Sequence, residues 1–411
     1  MTEFNLRTEN LHAPVAGGRP LDGLEVVEFG QFLAGPYCGM LLADMGARVT
    51  KVERPGTGDL SRGVGLRAAG GEGTTFLSLN RNKRSITLDV TRPEGQEIAR
   101  SLVLRADVLV QNLQPGTLDR WGLGYADLRP LAPRLVYCSI SAFGEDGPYA
   151  GLSGIDPLIQ AMGGMMALTG EADGPPVMVG APIADYAGAM NAVQGVLAAL
   201  LTRQRTGYGQ AVHVNLLGAV IAAILPREWD YFATGARPPR MGSAHRYLAP
   251  YQAYATADGW LYVAVLDDAR FQRVVHLMGL DAVSADDRFM TNNERVVHRE
   301  ELNTYLIPRF RERSTEAWLA DCRSADVLAA PIYELDQTFQ DPQVRHNGVV
   351  ITLPDPERGP LPSIRPGFRL DDADDIPLRP PPALGADTDE VLAEACYTTD
   401  QVEDLRSRGV I

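Results

Sequence analysis

A chain of 411 residues is long enough for two or three domains of roughly 100–200 residues each. Its 45% hydrophobic and 22% charged residues are the mix of an ordinary soluble protein with a large core. A net charge of −14 excludes general nucleic-acid binding, which needs a basic face to neutralise phosphates. A local basic pocket stays open.

The opening stretch, MTEFNLRTENLHAPVAGGRP, is polar and carries acids, so it does not read as a secretory signal. The first 145 residues then alternate short β-branched runs with helical patterns. LEVVEF (24–29) reads as a buried strand, followed by a Gly/Pro turn and the helix-like YCGMLLADMG (37–46). Further strands are expected at ARVTKVE (47–53), SITLDV (85–90), ADVLVQN (106–112) and RLVYCSIS (134–141), with a helix at PEGQEIARSLVLRA (93–106). Strands separated by helices imply βαβ units and an α/β fold with a mostly parallel sheet.

Residues 186–204 form an apolar helical stretch expected to be buried nearly all round. A second apolar helix, LLGAVIAAIL (216–225), is far short of the roughly 20 residues a membrane span needs. A Pro/Gly-rich connector (236–250) leads to YQAYATADGWLYVAV, a hairpin around Ala-Asp-Gly. Charged helices fill 267–340. The tail from 343 is Pro-rich and strand-poor except for VVITL (349–353), and it ends in the helix-like TDEVLAEA. Cys38, Cys138, Cys322 and Cys396 lie far apart, and the six histidines are scattered. That spacing suits reduced thiols in a cytoplasmic enzyme and offers no metal signature.

Three features bear on chemistry. Gly30, Gly35 and Gly39 sit between the first strand and its helix, and the second strand ends in Glu53. A strand–glycine turn–helix–strand–acid unit invites an NAD-type dinucleotide reading, but the glycines do not follow G-x-G-x-x-G and Arg54 comes at once. What remains is a nucleotide-sized crevice at the carboxyl ends of parallel strands. Arg54, Arg62, Arg81, Lys83, Arg84 and Arg120 stand near strand ends, where guanidinium forks match phosphate oxygens; surface decoration is the plainer reading of each. Asn112 is placed to face the same crevice. Asp185, set in the run VMVGAPIADYAGAMNAVQGVLAALL, fits a helix N-cap. The small residues around it also leave space for a substrate carbonyl and its oxyanion at a helix N-terminus.

Taken together, LDGLEVVEFGQFLAGP, LLADMGARVTKVERPGTGD, LNRNKRSITLD, VQNLQPGTLDRWGLGY and PIADYAGAMNAVQGVLAALLTRQRTGYGQ resemble the class III coenzyme A transferases. This is the family of formyl-CoA transferase and carnitine CoA-transferase, and the match runs from Leu21 almost to the C-terminus. The resemblance implies a nucleophilic aspartate at Asp185, which would then be both cap and nucleophile, with a low pKa. It implies CoA contacts at Leu33, Ala34, Arg54, Leu88, Thr91, Asn112, Leu113, Arg120 and Ser153-Gly154-Ile155-Asp156. It further implies a CoA thioester as substrate with no tightly bound cofactor or metal, and a carboxylic acid acceptor. No nucleic-acid or membrane partner is expected. The family fold would be an interlocked homodimer with a large Rossmann-like domain and a smaller α+β domain. Residues 1–225 begin the large CoA-binding domain, 226–342 form linkers and the small domain, and 343–411 return to the large one. Leu33 replaces the glutamine of formyl-CoA transferases, and their glycine-rich loop becomes RMGSAHRYLAP, so an acid other than oxalate is expected. The α-methylacyl-CoA racemases of the same superfamily use a histidine where this chain has Ile155, so their two-base proton exchange lacks one base.

Overall fold

The computed structural model describes residues 18–68, 70–371 and 373–411; the polar opening segment read above lies, up to residue 17, outside the described residues. Six strands, β1 (Glu25–Phe29), β2 (Arg48–Glu53), β3 (Lys83–Thr87), β4 (Val108–Gln111), β5 (Val136–Ser141) and β6 (Ala211–Asn215), form one parallel sheet in the order β3-β2-β1-β4-β5-β6. The expected α/β class and parallel sheet are therefore present. The order reverses between β1 and β4, which opens a crevice at the carboxyl edge where ligands of such sheets bind.

The chain divides into two units. Among the described residues, the first comprises 18–163, 180–225 and 348–411, and the second 164–179 and 226–347. Residues 164–179, read from sequence as part of the large domain, belong to the second unit, as do 343–347.

In the first unit, helices α1 (Ala34–Asp44) and α2 (Pro93–Arg105) connect the early strands. α3 (Asp156–Met162), α4 (Ile183–Thr206) and α5 (Leu216–Ala223) follow β5. Strand β3 starts two residues before its expected beginning, because Lys83 and Arg84 are buried within it. Charges inside a strand read as loop; here internal ion pairs neutralise them. Strand β6 was passed over: a five-residue edge strand needs no long apolar run. The α4 expectation fails in part. Ala184, Ala192, Val196 and Ala199 are buried, but Tyr186 and Leu201 are 47% and 63% exposed on the opposite face.

The C-terminal return covers the open edge of β3. Ser85 N–H donates to Asp387 Oδ2 (2.8 Å) and Thr87 N–H to Thr388 Oγ1 (3.1 Å). Val391, Leu392, Val402 and Leu405 then join a core cluster with Val27, Ile86 and Leu109. Residues Val350–Leu353 and Leu361–Ile364 pair as an antiparallel hairpin whose second strand, with Pro362 in it, was not expected.

In the second unit, β7 (Tyr251–Ala255), β8 (Trp260–Ala264) and β9 (Leu328–Pro331) form an antiparallel sheet, with the hairpin turning at Ala257-Asp258-Gly259 as expected. Its core gathers Tyr254, Phe271, Phe310 and Trp318. Buried Arg295 ties that core together by donating to Ala249 O (2.8 Å), Phe289 O (3.0 Å) and Asp268 Oδ1 (2.7 Å). Among the described residues, no helix is long and apolar enough to cross a membrane.

Candidate active site

Loops leaving the carboxyl ends of the parallel strands build a two-lobed groove in the first unit. One lobe, of about 450 Å³, is lined by Phe32, Leu33, Ala34, Asn112, Ser153-Gly154-Ile155-Asp156, Leu216 and Asp185 among others. The other, of about 290 Å³, is lined by residues that include Phe29, Arg54, Leu88, Thr91 and Trp121. Gln31 and Leu113 line both lobes. All the site residues expected from sequence lie in this groove except Arg120, which sits exposed after Thr117 and donates to its Oγ1 (2.9 Å). Gln31, Phe32, Thr75, Gln114 and Trp121 were not expected; only their adjacency to glycine or strand-end signals could have pointed to them.

Asp185 is the third residue of α4, not its cap. The N-cap is Pro182, which has no side chain able to accept a hydrogen bond. Asp156 does the capping from α3. Its Oδ1 accepts from Ala184 N (2.6 Å) and Asp185 N (3.4 Å), and its Oδ2 accepts from Gln160 Nε2 (2.6 Å). Ile183 N–H is also spent, on Ala181 O (2.8 Å). The helix N-terminus therefore does not offer these N–H groups to a substrate oxyanion, contrary to the expectation from sequence.

This division has an electrostatic consequence. Asp185 is half-buried, and among the described residues no hydrogen-bond donor reaches its carboxylate. Burial, and secondarily the charge of Asp156, push its pKa up to about 6. The low pKa expected from the helix dipole is overturned, because burial disfavours the charged form and Asp156, which caps the helix, adds a like charge. Ile155, at the position where a second base would stand, is 64% exposed and apolar.

The basic residues separate into two groups. Arg62 is buried in a bidentate pair with Glu53 (2.7 and 2.8 Å), Arg81 with Asp44 (2.5 Å), Lys83 with Glu28 (2.8 Å) and Arg84 with Glu394 (3.0 Å). None of these four is free for phosphate. Arg54 and Arg120 remain exposed. Glu53, whose carboxylate also accepts from Ser85 Oγ (2.6 Å), is 2% exposed, so it cannot reach a ribose as a dinucleotide site requires. The glycines serve packing instead: a side-chain carbon at Gly39 would fall 1.9 Å from Glu28 Oε2, and one at Gly35 would fall 2.7 Å from Asn112 Oδ1.

A two-lobed groove at the sheet's switch point, with an unpaired carboxylate in one lobe and a guanidinium in the other, is a geometry suited to a nucleotide-tailed thioester. The family model described as CoA-transferase family III matches residues 21–388. The chain belongs to that family. It is 38% identical to the succinate–glutarate CoA-transferase of Agrobacterium fabrum, over 91% of this chain and 95% of that protein. It is 36% identical to the succinyl-CoA–D-citramalate CoA-transferase of Chloroflexus aurantiacus, over 96% and 98%. Its fold matches the crystal structure of a CAIB/BAIF family protein from Brucella suis with a TM-score of 0.85 at 38% identity, covering 92% of this chain and 99% of that one. As a family III CoA-transferase, the enzyme moves coenzyme A from an acyl-CoA to a carboxylic acid. Among the described residues, no group of three or more His, Cys, Asp or Glu is arranged to hold a metal.

Proposed function

We propose that Asp185 is the nucleophile of a covalent CoA transfer, in the lobe that receives the thioester carbonyl. The observation that carries this is an unpaired, half-buried carboxylate, with its pKa pushed up to about 6, in the lining of a two-lobed groove. A carboxylate without hydrogen bonds is a better nucleophile than a solvated one, and at neutral pH this one is still ionised. Asp185 attacks the donor thioester, giving an aspartyl-acyl anhydride and CoA thiolate. The thiolate attacks the aspartyl carbonyl, releasing the donor acid and leaving an aspartyl-CoA thioester. The acceptor carboxylate attacks that thioester to form a second anhydride and CoA thiolate. Thiolate attack on the acceptor's carbonyl then yields the new acyl-CoA and regenerates Asp185.

In this reading Arg54, Leu88 and Thr91 line the nucleotide lobe, Asn112 and Leu113 border the pantetheine path, and Arg120 lies at the outer rim. Asp156 acts by capping α4, and Asn112 by holding the glycine turn; both line the groove without a side chain spent on CoA. The names of the relatives favour succinyl-CoA as donor and a small dicarboxylic acid as acceptor. Among the described residues, those lining the Asp185 lobe include no Lys, Arg or His, so a distal carboxylate held there would meet neutral donors such as Gln31, Thr75, Gln114 and Ser153.

The enzyme works as an interlocked homodimer in the cytoplasm, a partner covering the exposed face of α4 that carries Tyr186 and Leu201. A donor–acceptor matrix, read by mass spectrometry of the CoA products, tests the function. Absence of transfer from any acyl-CoA to any short mono- or dicarboxylic acid would sink it. Sedimentation of the purified enzyme as a monomer at micromolar concentration would sink the dimer.

A further inference from the structure

Beneath the turn that separates the two lobes lies a cluster of charges that the transfer chemistry does not use. Glu28, Lys51 and Asp59 are fully buried, and Lys83 is 1% exposed. Each ammonium meets three oxygens, two through hydrogen bonds and the third as an ion pair. Lys51 Nζ donates to Glu28 Oε1 (2.9 Å) and Gly30 O (2.7 Å) and lies 2.8 Å from Asp59 Oδ2. Lys83 Nζ donates to Pro36 O (2.7 Å) and Asn80 Oδ1 (2.7 Å) and lies 2.8 Å from Glu28 Oε2. The two carbonyls so gripped, Gly30 and Pro36, stand at the start of the turn and in the first turn of α1 that follows it.

The middle of the turn is gripped as well. Phe32 N–H donates to Asp59 Oδ1 (3.1 Å) and Gln31 N–H to Asn112 Oδ1 (2.8 Å). Asn112 Nδ2 donates to Gln31 O (2.9 Å), and Leu60 N–H donates to Gln31 Oε1 (3.1 Å). Within this frame Phe32 sits at φ +61°, a left-handed conformation that a bulky residue avoids unless its surroundings over-determine it. Its ring stays 45% exposed on the groove wall. Buried ion pairs add little stability beyond what apolar residues of the same volume would give. What they add here is a fixed position for Gln31, one of two residues that line both lobes.

We propose that Lys51 and Asp59, with Glu28 and Lys83, form a positioning clasp that holds the Gly30–Pro36 turn so that a thioester anchored by its nucleotide presents its carbonyl to Asp185. The inference rests on the reading of the lobes as nucleotide and thioester subsites. Binding energy from a remote part of a substrate accelerates chemistry only where the protein between the two parts is rigid. The clasp supplies that rigidity at the joint. Losing one contact, such as Arg54, leaves the nucleotide anchored by the rest; losing the whole nucleotide or the clasp does not.

The test compares a CoA thioester with the matching pantetheine thioester, which lacks the nucleotide. The paired variant Lys51→Met/Asp59→Ala removes one charge of each sign and frees Gly30 O and Phe32 N–H. Asp59→Asn is the milder variant, keeping an acceptor for Phe32 N–H while removing the charge from Lys51. Wild-type enzyme should turn over the CoA thioester with the higher kcat. In the paired variant that advantage should vanish through a loss of about tenfold or more in kcat on the CoA thioester, with less than about threefold change in kcat on the pantetheine thioester or in Kd for free CoA. Asp59→Asn should lose part of the advantage. Equal losses on both substrates, or a retained advantage, would overturn the clasp. If the paired variant does not fold, Asp59→Asn decides alone, and full retention of the advantage overturns the proposal. A wild type without any kcat advantage overturns the clasp while leaving transfer intact. Transfer that survives in Asp185→Asn overturns the reading on which it rests.

Discussion

The two lobes of the groove handle charge in opposite ways. In the Asp185 lobe a carboxylate is left half-buried without a donor, and its pKa climbs to about 6. Behind the Arg54 lobe every buried charge is matched: Glu53 with Arg62, Lys51 with Glu28 and Asp59. Burial pushes the Glu53 pKa up, but the hydrogen bonds of Arg62 and the charge of Lys51 more than reverse it, and the net shift is downward. The difference teaches that burial alone does not mark a reactive group. A buried charge with its partners in place is a structural strut; one whose partners have been given to a neighbour is available for reaction. Asp156 and Asp185 show this at the N-terminus of α4: Asp156, from α3, takes the backbone N–H groups of Ala184 and Asp185, and the Asp185 carboxylate is left without a donor.

The largest effect expected from breaking this contrast is in Asp185→Asn. Transfer should fall by at least about a thousandfold, because an amide cannot form the anhydride. Stability should rise. An acid whose pKa is raised on folding binds more protons in the native state, so wild-type stability falls as pH climbs from about 4 to about 6. The variant lacks that fall and should be more stable above pH 6 by on the order of 1–3 kcal/mol, the two proteins converging near pH 4 in chemical denaturation. A variant less stable than wild type at pH 7 would remove the desolvated-carboxylate account.

Next in size is the guanidinium of the other lobe. Arg54→Ala should raise KM for every CoA thioester by roughly tenfold to a hundredfold with kcat nearly unchanged, the loss of a charge-assisted contact of about 1.5–3 kcal/mol. Pantetheine thioesters should be unaffected. If both substrates suffer alike, Arg54 does not contact the nucleotide.

A smaller effect sharpens the contrast between the two aspartates. For wild type, kcat/KM should drop tenfold per pH unit below about pH 6, as Asp185 takes up its proton. Asp156→Asn keeps an oxygen for Ala184 N–H but removes the like charge, so the acid limb should move down by a fraction of a unit to about one unit. A limb that stays at the same pH would show that burial alone sets the Asp185 pKa. The smallest expected effect is none at all: a 2-methylacyl-CoA incubated in deuterated water should not exchange its α-proton, since Ile155 offers no base. Rapid exchange dependent on Asp185 would assign a racemase activity to this same lobe.

Particular residues show what was legible in the chain. The alternation of LEVVEF, ARVTKVE and ADVLVQN with helical stretches is a local pattern, and it sufficed for the α/β class because strand and helix periods differ. The ordered blocks around Gly35, Arg54, Asn112 and Asp185 sufficed for the family, and Arg54, Asn112 and Asp185 do line one groove, whereas Arg120 is outside its lining. Lys83 and Arg84 misled, since the carboxylates that allow them inside β3 lie at Glu28 and Glu394, 55 and 310 positions away along the chain. The cap of α4 misled for the same reason: Asp156 reaches it across a gap of 28 residues. Sequence by itself determined most of the segments that become strands and helices, and the family to which the chain belongs, because backbone periodicity and motif order are written in neighbouring residues. Only the tertiary structure decided which charges are matched and which is left alone, because desolvation and ion pairing depend on distance through space rather than along the chain.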